Sequence, residues 1–574
     1  MEKTGMADNL APKVQWFLTD EGMGVLERAG LAGLYLSLTA AEKWAAQGDS
    51  QAQELQRILS WELSDQSVKL WWAGEDLPAL AKLVEWAWQI KEGVYYLPGL
   101  HRDLDTREHH FLRIPTHSGI VATFLQYTGQ LRPALEDQTS ILVPLDVSDP
   151  TKTLSIRYRP IKQGQTVRQI RVLKEIDPLT RQGDYREISL AGWIHPGSAP
   201  RYDTDAAWTA TTEKALLLLF APIACFYMKL PKTKAKKRMR ENWAFVVPEI
   251  TSLNDILSRY GEMQVSLQNR FDDIQVQGLE DAGFRFAVAY AGRALQRKFS
   301  VTEINVVAMG VTDYYSAMPT VTTKIRKKIL RLNPTDISIN RYRILMKIMS
   351  NVFEPRKLKE EERTDDNSEI TPTHWIRQPT ARGRIAENLV NNLPWYRELA
   401  WPPAWQVDEV EDQRKRLKDN ISTERLWFSN LQKRDWRALM DLVKEQAMWD
   451  SLEEQAFFAI YHQTLRNVLT REVEGLSRGG ARDLRERWEN RVEKIRRDLM
   501  RAKTLDSNRK TIVEFLAGGG GSKELTEKKE AIWGFLNHPY DWKKARDLAL
   551  LALVTFTDKR LAKSEGKEEG KAHE

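Results

Sequence analysis

Between Pro403 and Pro539 the chain contains no proline. A proline inside a helix removes a hydrogen bond and collides with the preceding turn, so this span can form long helices that the proline-dotted first half cannot. Its apolar residues follow the helical period: Leu426, Phe428, Leu431, Trp436, Leu439, Leu442 and Val443, then Phe457, Ile460, Tyr461, Leu465 and Val468. Further helices are expected over Ala481–Lys503, Lys510–Leu516, Glu527–Leu536 and Trp542–Leu561. Short connections force antiparallel neighbours, so residues 404–574 are expected to form an all-α bundle. The GGGGS at Gly518–Ser522 reads either as a flexible joint between two helices or as an engineered scar, and plausible helices on both sides favour a natural hinge.

The first half mixes patterns. From Gly24 to Glu92 the apolar spacing is helical, through Leu26, Leu31, Leu34, Leu38, Leu55, Leu59, Leu63, Leu80, Leu83 and Trp88. Phe111–Leu131 reads as a short strand followed by a helix carrying Ile120, Phe124 and Tyr127. Ile141–Val143, Leu154–Tyr158, Val167–Leu173 and Tyr185–Trp193 are alternating or β-branched runs set between prolines and glycines, and they suggest a small sheet. Trp208–Tyr227 is a long apolar helix candidate, while Trp243–Val247 and Glu303–Met309 read as buried strands. The fold class expected is therefore α+β in the N-terminal region, followed by the helical bundle. Between Glu354 and Gln378 the composition turns to charge, Thr, Asn and Pro, too polar to order itself by burial. The expected domains are 1–353, a polar linker and extended segment at 354–403, and 404–574.

One cysteine, Cys225, excludes a disulfide framework, a thiolate zinc site and a CxxC redox pair, and points to a reducing, cytoplasmic compartment. The longest apolar stretch, Ala215–Met228, is about half of what spans a bilayer, so a soluble protein without membrane or secretory address is expected. Catalytic motifs are missing. In Gly518–Lys523 the lysine follows Ser522 and no hydroxyl follows it to hold magnesium, so it resembles a phosphate-binding loop only superficially. His101, His109, His110 and His117 have no HExxH or His-Asp partner and read as turn or core residues. No nucleophile elbow appears. No enzyme activity, cofactor or metal is expected.

The formal charge is only +7, so the position of the cations matters more than their number. Lys229–Arg240 holds seven basic residues and no acid, and Lys324–Lys347 holds eight against the single Asp336. Such clusters repel themselves unless solvent or a polyanion screens them. Their position beside apolar, strand-like runs favours nucleic acid. The candidates are Lys232, Lys234, Lys236, Lys237, Arg238 and Arg240, with Lys324, Arg326, Lys327, Lys328 and Arg331. A third group lies in Arg478–Lys503, where ten basic residues meet five acids; Arg482, Arg485, Arg491, Arg496 and Arg497 are its candidates. A solvated helix with intrahelical Glu–Arg pairs explains that segment equally well. Most tryptophans in the last half, such as Trp427, Trp436 and Trp449, fall at core spacing and read as packing.

Eight segments occur in the order found in one known family: ERAGLAGLY (27–35), GVYYLPGL (93–100), HSGIVATFLQY (117–127), GWIHPG (192–197), LLLLFAPIACFY (216–227), AFVVPEITSL (244–253), DAGFR (281–285) and AENLVNNLPWY (386–396). They resemble the large subunit of a type I CRISPR surveillance complex (Cascade), of the myxobacterial branch allied to subtype I-B. The resemblance implies a non-catalytic subunit near the 5′ handle of the guide RNA. Such a subunit reads the protospacer-adjacent motif in target double-stranded DNA and helps open the duplex, while its helical C-terminal domain steadies the displaced strand. The implied partners are guide RNA, target DNA and the other Cascade subunits: backbone, handle-binding, RNA-processing and small. Downstream, a helicase-nuclease or, in transposon-captured systems, a transposition adaptor would follow, and these residues do not separate the two. In related systems the small subunit is made from an internal start within the large-subunit gene; Met440 and Met448 are the candidates here, although both also read as core residues. The alternative is a general RNA-binding scaffold without motif recognition.

Overall fold

In the computed structural model the described residues are 12–101, 110–125, 134–146, 149–165, 169–190, 209–235, 238–258, 274–291, 303–311, 323–330, 337–355, 374–399, 433–474, 491–492, 494–520, 523–538 and 542–556. The chain divides into two units, Met1–Asp336 with Asn351–Gln378, and Ile337–Ser350 with Pro379–Glu574. The α+β region is followed by the helical region, as expected.

The first unit opens with β1 (Val14–Phe17), α1 (Val25–Ala46), α2 (Ser50–Ile58), β2 (Leu59–Leu63), β3 (Ser67–Trp72), α3 (Asp76–Ala87), β4 (Gln89–Lys91), β5 (Val94–Tyr96) and α4 (Pro98–His101). Strands β1, β3 and β2 form an antiparallel sheet in that order. Leu59 and Leu63, at helical spacing in the sequence, lie instead in β2, because the polar turn at Ser64–Gln66 folds β2 back onto β3, with Ser64 N donating to Ser67 O at 3.0 Å. Helix α1 is buried along most of its length. Its Gly30 and Gly33 lie so close to the carbonyls of Leu217 and Phe220 that a Cβ at either position would overlap them. The ERAGLAGLY segment is thus a contact between a helix and a neighbouring backbone, which explains its small residues.

Next come α5 (His110–Thr123), β6 (Thr139–Asp146), β7 (Asp149–Tyr158), α6 (Gln169–Ile176), β8 (Thr180–Arg181), β9 (Asp184–Tyr185), β10 (Glu187–Ser189), β11 (Thr209–Thr211) and α7 (Thr212–Leu218). The strand expected at the start of Phe111–Leu131 is helical from His110 onward, with Pro115 inside the helix. Val167–Leu173 reads as a strand in the sequence, yet 169–176 is helical: Gln169, Val172, Leu173 and Ile176 are buried at i, i+3, i+4 and i+7. The long helix expected over Trp208–Tyr227 is interrupted. It begins as β11, continues as α7 and a 3-10 turn at Ala221–Ala224, and ends as a strand from Phe226, with Pro222 inside the turn.

Two four-stranded sheets complete this unit. One has the order β16 (Val352–Pro355), β17 (His374–Arg377), β7, β6, with β17 parallel to β7. The other is an antiparallel meander of β12 (Phe226–Ala235), β13 (Arg238–Pro248), β14 (Ile304–Val311) and β15 (Thr323–Leu330). Between β13 and β14 in sequence lies α8 (Leu279–Ala291).

The second unit contains α9 (Ile337–Ile348), α10 (Thr380–Val390), α11 (Lys433–Leu442), a 3-10 turn at Gln446–Met448, α12 (Leu452–Glu474), α13 (Leu505–Gly518), α14 (Lys523–Glu527), α15 (Lys529–Asn537) and α16 (Trp542–Thr555). Residues 494–501 are also helical and bury Ile495 and Leu499. Helix α16 is buried from Ala545 to Thr555, and α11, α12, α13 and α15 pack around it. Trp395, Tyr396 and Trp449 meet edge to face or tilted at about 6 Å between ring centroids, and Tyr461 stacks on Phe515 at 4.7 Å. Thr504 and Ser507 form a reciprocal capping box on α13. Gly519 packs against the Thr464 side chain and its carbonyl accepts from Asn467 Nδ2 at 3.4 Å, so the glycine run begins as a packed turn against α12.

Candidate nucleic-acid interface

The two basic clusters fall on one sheet. Strand β13 pairs with β14 from Trp243 to Pro248; its earlier residues Arg238–Asn242 pair, among the described residues, with β12 only. Among the described residues, the end of the β12–β13 hairpin is therefore a two-stranded arm. On it Thr233 faces Arg240, Lys234 faces Met239 and Ala235 faces Arg238, while Lys232 sits in the register shift between Leu230 and Thr233. Pro231 lies in that shift and lacks an N–H, as a bulge tolerates. Its carbonyl accepts from Asn242 Nδ2 at 3.0 Å, which ties the base of the arm together. Lys236 and Lys237, between the two strands in sequence, lie outside the described residues.

The second cluster is strand β15. Lys324 pairs with Gly310, Arg326 with Ala308, Lys327 with Val307 and Lys328 with Val306. Arg331 lies outside the described residues. Since β12 and β15 are the outer strands of this sheet, three strand spacings separate them, about 14 Å. Helices cover both faces of the sheet. From α5, Gly119 abuts Tyr227, and just beyond that helix Phe124 meets Phe245 with ring centroids 4.7 Å apart. From α8, Phe286 meets Phe226 at 4.9 Å, and Gly283 abuts Leu330. Trp243 is buried at the root of the arm, with Lys229 Nζ 5.9 Å from its ring centroid. That register was not readable from sequence, since nothing local says which strands pair.

The helical candidates are less clustered. Arg482 and Arg485 lie outside the described residues. Arg491 and Arg496 are half-buried and Arg497 is exposed. At about 100° per residue, Arg496 is turned about 140° from Arg491, so these two flank the stripe of Val492, Ile495 and Leu499 rather than share a face. Arg496 Nη1 reaches Met500 Sδ at 3.3 Å. Met440 is half-buried in α11, and Met448 is buried. Spacing missed one exposed indole, Trp533 on α15.

Other groups are structural. His117 is buried with Nε2 2.8 Å from Arg159 O, a core histidine. Burial pushes the Cys225 thiol well above its ordinary range, which disfavours the reactive thiolate. Among the described residues, no group of three or more His, Cys, Asp or Glu side chains could hold a metal. No helix among them is long and apolar enough to cross a membrane.

Comparison with known proteins gives two family matches in chain order, the DevT N-terminal domain at residues 15–219 and the DevT C-terminal domain at residues 444–574. The CRISPR-associated protein Cas8a1/Csx13 of Myxococcus xanthus (strain DK1622) is 24% identical over 563 residues, which cover 94% of this chain and 87% of that protein.

Proposed function

Given that the chain belongs to the DevT family, whose N-terminal and C-terminal domains it carries, we propose that it is the non-catalytic large subunit of a type I CRISPR surveillance complex. It works in the cytoplasm beside guide RNA and the other Cascade subunits. Its α+β unit recognises the protospacer-adjacent motif in duplex DNA and promotes unwinding; its helical unit stabilises the R-loop. A helicase-nuclease or transposition machinery is then recruited to the opened site. The CRISPR-associated relative, similar along nearly the whole chain, supports the assignment to such a complex.

The observation that carries the duplex-reading role is the gathering of two basic clusters, distant in sequence, onto one helix-backed sheet. Guide pairing supplies target sequence, so the protein needs a short duplex reader and a cationic path for one strand, without bond-breaking chemistry. A two-stranded arm has the width to enter the major groove of B-DNA, and lysines and arginines along it meet the flanking phosphates. The domain roles follow as part of the same proposal: 1–353 for handle docking and motif reading, 354–403 as the connection, and 404–574 as the part resembling a small subunit.

The test is the salt dependence of target binding by the assembled complex. Replacing Lys236, Lys237 and Arg238 by Ala is expected to weaken binding and to flatten the log–log salt slope by roughly 0.9 per lost phosphate contact. An unchanged slope overturns the placement of duplex DNA on this arm. Equal affinity for motif-bearing and motif-free duplex would instead favour a general scaffold without motif recognition.

A further inference from the structure

Six large apolar side chains are exposed among the described residues, and Trp533 on α15 is the one tryptophan among them, at 45% exposure. Its surroundings on the helix surface are polar. Lys529 lies one turn before it and Asn537 one turn after, both exposed. Asn537 Oδ1 accepts from Arg509 Nη1 at 3.0 Å, which brings a second cation to that end of the helix from α13. Arg509 also pairs with the exposed Asp506, 3.1 Å away.

The residue after Trp533 is Gly534, inside the same helix and exposed. A Cβ built there would meet nothing within 4 Å. Glycine weakens a helix relative to alanine through backbone entropy, and here no neighbour among the described residues requires its smallness. At Gly30 and Gly33 an adjacent backbone accounts for the missing side chain; at Gly534 the space is open. A bare backbone next to an exposed flat ring suits an object that approaches both from outside.

We infer that Trp533, Gly534, Lys529 and Arg509 form a docking point for one unpaired nucleotide, its base stacked on the Trp533 indole and its flanking phosphates near the two cations. Base stacking on an indole needs no particular sequence, because every base presents a π face. A protein partner would be expected to meet a wider apolar patch, whereas the exposed neighbours of Trp533 along α15 are Lys529, Glu530, Gly534 and Asn537. The inference rests on the proposed strand-holding role of the helical unit and adds to it a specific stacking residue.

The test uses the full chain with two oligonucleotides, a dT 20-mer and an abasic oligomer of the same length, by fluorescence anisotropy of an end label. Trp533→Ala is expected to lower affinity for the dT 20-mer by about tenfold and to leave the abasic oligomer unaffected; Trp533→Phe is expected to retain most of the binding. Lys529→Ala should weaken both oligomers alike and reduce the salt slope by roughly 0.7. Equal effects of Trp533→Ala on both oligomers, or none on either, overturn the stacking site while leaving strand holding in place. Failure of the unsubstituted chain to bind the dT 20-mer overturns the strand-holding role together with it. Loss of co-purifying Cascade subunits from Trp533→Ala with unchanged oligomer binding makes this indole a protein contact and overturns the nucleotide site.

Discussion

Asp547 lies inside α16, where burial raises its carboxyl from 3.8 to about 6 while the adjacent Arg546 pulls the other way. The folded chain thus holds this proton more tightly than the unfolded chain does. Stability from this group is greatest below the unfolded value and is lost as pH rises through about 6. The gap between 3.8 and about 6 corresponds to roughly 3 kcal/mol at most. Asp547→Asn is expected to gain stability over the native chain at pH 7 and to match it near pH 4, read from denaturation midpoints at both values. A native chain that gains on the variant as pH rises from 4 to 7 would contradict this assignment. Nothing in the sequence marked Asp547, because its perturbation comes from burial and the 397–398 segment, which local spacing does not report. The core histidine His117 was legible, since no partner pattern completed a metal site around it. Trp533 was hidden by the opposite error, as helical spacing makes an exposed indole look like a packed one.

At the scale of elements, most helices of the second half were legible because they bury one stripe and so display the period in their apolar residues, whereas α16 is buried without a break from Ala545 to Thr555. Errors fell where burial is two-sided or where residue type misled. Ala215–Met228 is apolar throughout, and a run without period cannot say where helix gives way to strand. In 169–176 the β-branched residues suggested a strand, although the buried positions kept helical spacing. Helix α1 invites a direct test. Gly33→Val would place its Cβ on the Phe220 carbonyl and against the Ile223 side chain, and no shift of a single side chain relieves a backbone clash. A loss of at least about 2 kcal/mol in urea denaturation is expected, against a much smaller loss for Gly518→Ala, where a Cβ meets nothing. Equal effects at the two positions would show that α1 does not depend on this close approach.

For the whole molecule, the α+β to all-α order was readable from the proline distribution and the change of period, while the gathering of both basic clusters on one sheet was not. Strand pairing joins residues far apart in sequence, and a single sequence carries no signal for it. The proposed division of labour predicts separable defects. Replacing Arg491, Arg496 and Arg497 by Ala is expected to shorten R-loop lifetime in the assembled complex while motif preference among duplex targets stays unchanged. A shift in preferred motif from these substitutions would place motif reading in the helical unit and refute the division.

The chain enters its helical unit before the first unit is complete. Helix α9 belongs to the helical unit, yet 351–378 then returns to finish the sheet of β6 and β7 before the chain resumes the helical unit at Pro379. On the ribosome, α9 therefore emerges before the first unit is complete and well before α12 and α16 exist. A polypeptide initiated at Met440 or Met448 would lack α9 and α10 altogether, leaving Trp449 without Trp395 and Tyr396. Any such shorter product would expose more of that ring unless a second copy of itself or a neighbour in the assembly covers it.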